Sequence, residues 1–171
     1  MPSRTAILVA ALLALALLLA IPAAGPEPGT ENTEADTVTV LDESGDPLGT
    51  VTVMVADTPD ERYTGLSDTE SLDPNEGMLF VFDSEAERAF VMRNMSFPID
   101  IVFVDADRTI TAVHHAPVEN DDGQLTRYRG QGKWVLEVPY NWTTEHDVEV
   151  GDQIRIDHAN ETDQPTGSTA T

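Results

Sequence analysis

Short stretches of alternating apolar and polar residues, cut by clusters of Gly, Pro, Asn and Asp, run along most of this chain. Val51, Val53 and Val55 alternate with Thr50, Thr52 and Met54, the pattern of a strand with one buried face. Together with residues 38–41 they predict a hairpin around the turn 42–47. Residues 78–82 and, except for Asp100, 99–104 are apolar on both faces, which predicts central, doubly covered strands. Further strands are expected at 90–93, 109–116, 133–138 and 153–156. Helical signals are few. Thr58-Pro59-Asp60-Glu61 reads as an N-cap, a first-position proline and a capping box, with Gly65 or a residue soon after it as the stop. Residues 141–147 have room for a single helical turn. Seven to nine short strands with one or two short helices predict an all-β domain, a single compact β-sandwich of jelly-roll type or a barrel. No βαβ alternation is expected.

Polar residues stand in the apolar runs where a plain core would have none. Arg93 and Asn94 end the strand expected at 90–93. Asp100 shares a strand face with Val102 and Val104, and Glu137 shares one with Val135. A carboxylate on an apolar face needs a partner. Pairing of Arg93 with Asp100 or Glu137 would make a core charge lock. The alternative is the floor of a small polar pocket, with Arg93, Asn94, Asp100 and Glu137 aimed at a ligand.

The ends of the chain are of a different character. Residues 6–21 are all apolar and follow Arg4, as in an export signal or an N-terminal membrane anchor, so residues 1–24 are assigned to that role. Residues 25–37 form an acidic linker and 157–171 a disordered tail. The domain then occupies 38–156, exported and either free or tethered to the outer face of the membrane. The membrane is met only through the N-terminal segment. Absence of Cys excludes disulfides and a lipidated cysteine.

Charge narrows the partners. The chain has 31 acidic and nine basic residues, a net charge of −22, with Lys133 the one lysine. Nucleic acid would be repelled. The acids are spread along turns and solvent faces, which fits solvation at high salt. His114 and His115 are adjacent and should point to opposite faces of a strand, so they cannot share a metal. No metal site and no cofactor are expected. Asp105-x-Asp107 and Asn120-Asp121-Asp122-Gly123 lack the spacing of a calcium loop, and such residues serve turns for backbone reasons. Without Cys or a Gly-x-Ser-x-Gly elbow, no catalytic nucleophile is assigned. Asn94, Asn141 and Asn160 each begin a glycosylation sequon, and Asn160 has the fewest packing duties.

A series of motifs in a fixed order then stands out: Arg62-Tyr63-Thr64-Gly65-Leu66, Glu76-Gly77-Met78-Leu79-Phe80, Phe90-Val91-Met92-Arg93-Asn94, Phe97-Pro98-Ile99-Asp100-Ile101-Val102-Phe103, Val135-Leu136-Glu137-Val138-Pro139 and Gly151-Asp152. Their order and spacing resemble the family known as domain of unknown function 192. The resemblance implies a compact jelly-roll type β-domain, often behind a signal or anchor, and no established activity. Its recurrent polar positions correspond here to Arg93, Asn94, Asp100 and Glu137. This chain departs from the pattern at Met95, where a small polar residue is common, and at Tyr140-Asn141-Trp142, where a Gly-containing turn is usual.

The expected function is a non-enzymatic binding or accessory module for a small polar ligand, a glycan or an envelope protein. The alternatives are a hydrolase using Asp100 and Glu137 as acid and base, and a structural domain with a buried charge lock. The acidic composition carries its own prediction. Going from about 0.1 M to about 1 M salt shortens the Debye length from about 10 to about 3 Å, so the Tm of the domain should climb over that range. A flat Tm across it, measured by calorimetry, would show that self-repulsion is not what salt relieves.

Overall fold

The hairpin expected at the start of the domain forms as β1 (Thr37–Leu41) and β2 (Pro47–Ala56). A computed structural model describes residues 36–120 and 123–159. The apolar leader, nearly all of the linker and Asn160 lie outside them. Asp42 makes the turn: its Oδ1 accepts the amides of Ser44 and Asp46 at 2.8 and 2.9 Å. A similar device recurs between β4 (Ile99–Val104) and β5 (Ile110–Ala116), where Asp105 Oδ1 accepts the amides of Asp107 and Thr109. These aspartates serve the backbone, which accounts for the spacing that invited a calcium reading at Asp105.

Helix α1 (Pro59–Thr64) is capped as the sequence predicts. Thr58 Oγ1 accepts the amide of Glu61, and the Glu61 carboxylate accepts the amide of Thr58 at 3.0 Å. These bonds hold the Glu61 carboxyl below its usual range. Gly65 ends the helix at φ +52°, a conformation that glycine adopts without strain. A 3-10 turn, Gly65–Asp68, follows. This connection leads from β2 to β3 (Glu76–Phe90), and the two strands run parallel, with Thr52 opposite Glu76 and Ala56 opposite Phe80. The fold thus contains one crossover with a helix, where none was expected. The helix is one and a half turns long and hardly amphipathic, so its apolar period is too short to read.

Among the described residues, seven strands join one curled sheet in the order β5-β4-β6-β3-β2-β1-β7, with β6 at Tyr128–Pro139 and β7 at Gln153–Asp157. The curl brings the two edge strands towards each other. Thr109 and Gln153 form a bridge, and Ile110 N donates to Asp152 O at 2.8 Å. The result is a half-barrel with two short helices, mainly β as predicted. Two expected strands merge: residues 78–82 and part of 90–93 belong to the single β3. After a break in register between Val81 and Ala86, its polar second half resumes the ladder with the start of β6, Ala86 opposite Gly132 and Phe90 opposite Tyr128. Both arms face solvent there, so their charge masked the pairing.

Period-two alternation sorts side chains into two cores. Inside the curl lie Val38, Val51, Leu79, Val102, Leu136 and Ile154, closed at one end by Trp142 from α2 (Trp142–Glu145). On the outer face Phe80, Met92, Ile99, Ile101, Phe103 and Val135 are covered by the 3-10 turn through Leu66. Phe103 packs directly on the backbone of Gly130, where a Cβ would collide with its ring. Gly130→Ala should therefore cost about 1–3 kcal/mol in urea unfolding; an unchanged midpoint would place Phe103 elsewhere.

Candidate functional site

Strand β4 is buried along its whole length, and that sets the demand on Asp100, which is 0% exposed. Four donors meet its carboxylate. Oδ1 accepts from Asn141 N at 3.1 Å and from His115 Nδ1 at 2.6 Å. Oδ2 accepts from Thr143 N at 3.0 Å and Thr143 Oγ1 at 2.6 Å. Asn141 precedes α2 in the left-handed region, at φ 67°, and its own side chain caps nothing. Asp100 supplies the missing cap from another strand, satisfying amides that the helix start leaves open and placing a negative charge where the peptide dipoles favour it. The third residue of the Asn141 sequon, Thr143, is buried and committed to this bond.

Glu137 lies on the other side of the sheet. On β6 it stands directly opposite Ile101 of β4, whereas Asp100 stands opposite Val138. Adjacent residues of a strand point to opposite faces, so Asp100 faces the inner core and Glu137 the outer one. The expected sharing of one pocket by Asp100 and Glu137 does not occur, and the acid/base pair required for the hydrolase reading has no common cleft. The expected ion pair of Arg93 with either carboxylate is also not formed.

A cavity of about 300 Å³ opens on the outer face between α1 and β3. Glu137 and Arg93 line it, with Phe80, Phe82, Phe90 and Met95 among the walls. Glu137 is 6% exposed. Its carboxyl has no hydrogen-bond partner among the described residues. Its oxygens are not fully buried: among the described residues the fully buried side-chain polar atom left unpaired is Trp142 Nε1, in the inner core. Burial pushes the Glu137 carboxyl up to about 8, because a charge has little solvation in this wall. Arg93 stands at the rim, its guanidinium 4.1 Å from the Tyr63 ring centroid and donating to Tyr63 O at 2.5 Å. Ser67 Oγ in turn donates to Arg93 O at 3.0 Å. Asn94 follows at φ 54°, a turn conformation that asparagine tolerates, and is not part of the lining.

Of the four residues singled out from the sequence, the fold brings together Glu137 and Arg93 and sends Asp100 to a different task. It adds Arg62 and Arg88, which also line the cavity. Arg62 opened the first motif of the series but was not singled out, and Arg88 stood out only through the scarcity of basic residues. His115 was considered for metal only, yet it is Asp100's partner; it is 43% exposed. His114 points the other way, to Arg129 O at 2.8 Å, as adjacency on a strand requires. Among the described residues no group of His, Asp and Glu could hold a metal ion.

The two carboxyls give opposite predictions. Asp100→Ala leaves two amides and a hydroxyl of the α2 turn without an acceptor, and should cost about 3 kcal/mol or more in chemical denaturation. Glu137→Gln should stabilise. Between the ordinary carboxyl value of 4.5 and about 8, the unfolded chain has lost the Glu137 proton and the folded chain still holds it. Stability of the native protein then falls as pH rises, by up to about 1.4 kcal/mol per unit. The advantage of Glu137→Gln over the native protein should grow across that window and level off above it. A constant difference at all pH values would mean that Glu137 titrates normally.

The family model of the uncharacterised domain of unknown function 192, described as "Uncharacterized ACR", matches residues 39–156. The chain belongs to this family. Two solved structures are similar. One, from Sinorhizobium meliloti 1021 and described as a candidate transcription regulator, is 27% identical with a TM-score of 0.64, covering 71% of this chain and 92% of that one. The other, a protein of unknown function from Novosphingobium aromaticivorans DSM 12444, is 28% identical with a TM-score of 0.61, covering 70% of this chain and 83% of that one. No curated protein matches the chain.

Proposed function

We propose that this member of the domain of unknown function 192 family is an extracytoplasmic, non-enzymatic binding module. Its site is the cavity between α1 and β3, and its ligand is small, partly apolar and able to hydrogen-bond a carboxyl group. One observation carries the reading: Glu137 is buried, unpartnered among the described residues and open to the cavity. Setting a carboxyl in a largely apolar wall with no protein partner is costly, and leucine of similar size would lower that cost. A bound molecule that pairs with Glu137 would supply the missing bond. The aromatic walls suit the apolar part of such a ligand, and the volume sits at the low end of the usual range of about 300–1,000 Å³.

The extracytoplasmic location rests on the apolar run at 6–21 behind Arg4, in keeping with a signal or anchor. Among the described residues no helix is long and apolar enough to cross a membrane. Regulation of transcription, attributed to the relative from Sinorhizobium meliloti, is not carried over, since a net charge of −22 opposes contact with DNA.

The test is a small-molecule screen by thermal shift at high salt, run in parallel on the native domain and on Glu137→Leu. Compounds that raise the Tm of the native domain should fail to raise that of the variant. The unliganded variant should itself melt higher, because an apolar side chain replaces a poorly solvated carboxyl that has no protein partner. Hits that stabilise both proteins equally would place binding outside this cavity and overturn the proposal.

A further inference from the structure

Three of the chain's eight arginines, Arg62, Arg88 and Arg93, line the one cavity that holds Glu137. In a chain with 31 acidic residues, each would be expected to find a carboxylate. None does among the described residues. The ion pairs made by arginine there are Arg129 with Glu87 and Arg155 with Asp157, both away from the cavity. The cavity arginines donate only to backbone carbonyls: Arg62 to Asp57 and Val81, Arg88 to Gly132 and Ser84, and Arg93 to Tyr63. Each thus spends at most two of the five N–H donors of a guanidinium.

Their placement adds a second argument. Arg62 and Arg88 both lie over the ring of Phe82, at 5.1 and 3.9 Å from its centroid, and Arg93 lies over Tyr63 at 4.1 Å. Stacking on a ring holds the guanidinium plane still and leaves its edge free for a planar anion. Two like charges sharing one ring repel each other, and a carboxylate between their free edges would offset that repulsion. The nearest capping acid, Glu61, is committed to the Thr58 amide and hydroxyl.

We infer that the ligand of this cavity is an organic monocarboxylate: an anionic head held by the arginine edges at the rim and an apolar body against Phe80, Phe82 and Phe90, with a hydrogen-bonding group reaching Glu137. This rests on the binding role proposed above and specifies its ligand. The acidic remainder of the surface repels anions at long range, but that repulsion fades beyond a few ångströms in about 1 M salt, while close contacts to guanidinium edges persist.

The test uses matched pairs in about 1 M salt: aromatic and aliphatic monocarboxylates that carry a hydroxyl at the far end, each with its primary amide, beginning with 4-hydroxyphenylacetate and 4-hydroxyphenylacetamide. Affinities are read by saturation-transfer NMR and thermal shift on the folded domain. The acids should bind at least about tenfold tighter than their amides. Arg93→Gln and, independently, Arg88→Gln should each erase most of that preference, the acid losing far more affinity than its amide. Neither variant removes a core side chain, and its unliganded Tm checks that it folds. Equal binding of acid and amide, both lost in Glu137→Leu, would overturn the carboxylate inference and leave the binding role standing. Acids that bind with full affinity to both arginine variants would overturn it as well. No binding by any acid, alongside neutral hits in the screen above, would do the same; no binding by either class would remove the binding role itself.

Discussion

The buried carboxylate of Asp100 is the constraint on which the shape of this domain depends. It sits on a strand covered from both sides, where a bare charge could not persist. Four donors converge on it, three of them from the turn that starts α2. That turn carries Trp142 into the end of the inner core. Strand and helix start thereby satisfy each other: the carboxylate gains donors, and the open amides of a very short helix gain a charged acceptor. A four-residue helix has almost no stability of its own, so its position is a tertiary property. Asp100 answers to the charge-lock reading, with a backbone turn and His115 as partners in place of Arg93.

Glu137 presents the reverse situation on the opposite face. It is nearly as buried as Asp100, yet among the described residues nothing bonds to it, and its carboxyl favours the protonated form. Two acids one register step apart on neighbouring strands thus differ wholly in environment. One is neutralised by built-in donors and contributes to folding. The other lowers stability at neutral pH, and structures commonly carry such a cost where a site is kept ready for a ligand. The surrounding arginines extend the contrast. Outside the cavity the surface is dominated by acids in turns; around it, cations are held on aromatic rings and backbone carbonyls.

The strand pattern was legible because a half-buried sheet writes a period of two into the sequence. Val51, Val53 and Val55 face the core as that period requires, and residues 99–104 form the doubly covered β4. Capping at Thr58 was legible for a similar reason: Thr, Pro and Glu act within one turn of chain. The continuation of β3 through 83–89 was not, since both partners of that ladder face water and its residues are charged. Parallel pairing of β2 with β3 was equally hidden, because strand direction depends on where the crossover lands.

At the candidate site the division follows from distance along the chain. The sequence alone marked Arg93, Asp100 and Glu137 as polar residues in apolar surroundings, set the two carboxyls on the alternation of their own strands, and limited partners through charge and lack of Cys. It could not relate the face of one strand to the face of another, since the register between β4 and β6 is decided by pairing of residues 30 to 40 positions apart. That register places Asp100 opposite Val138 and Glu137 opposite Ile101, and so separates the lock from the cavity. Only the folded sheet decided which acid is satisfied and which remains open to a ligand.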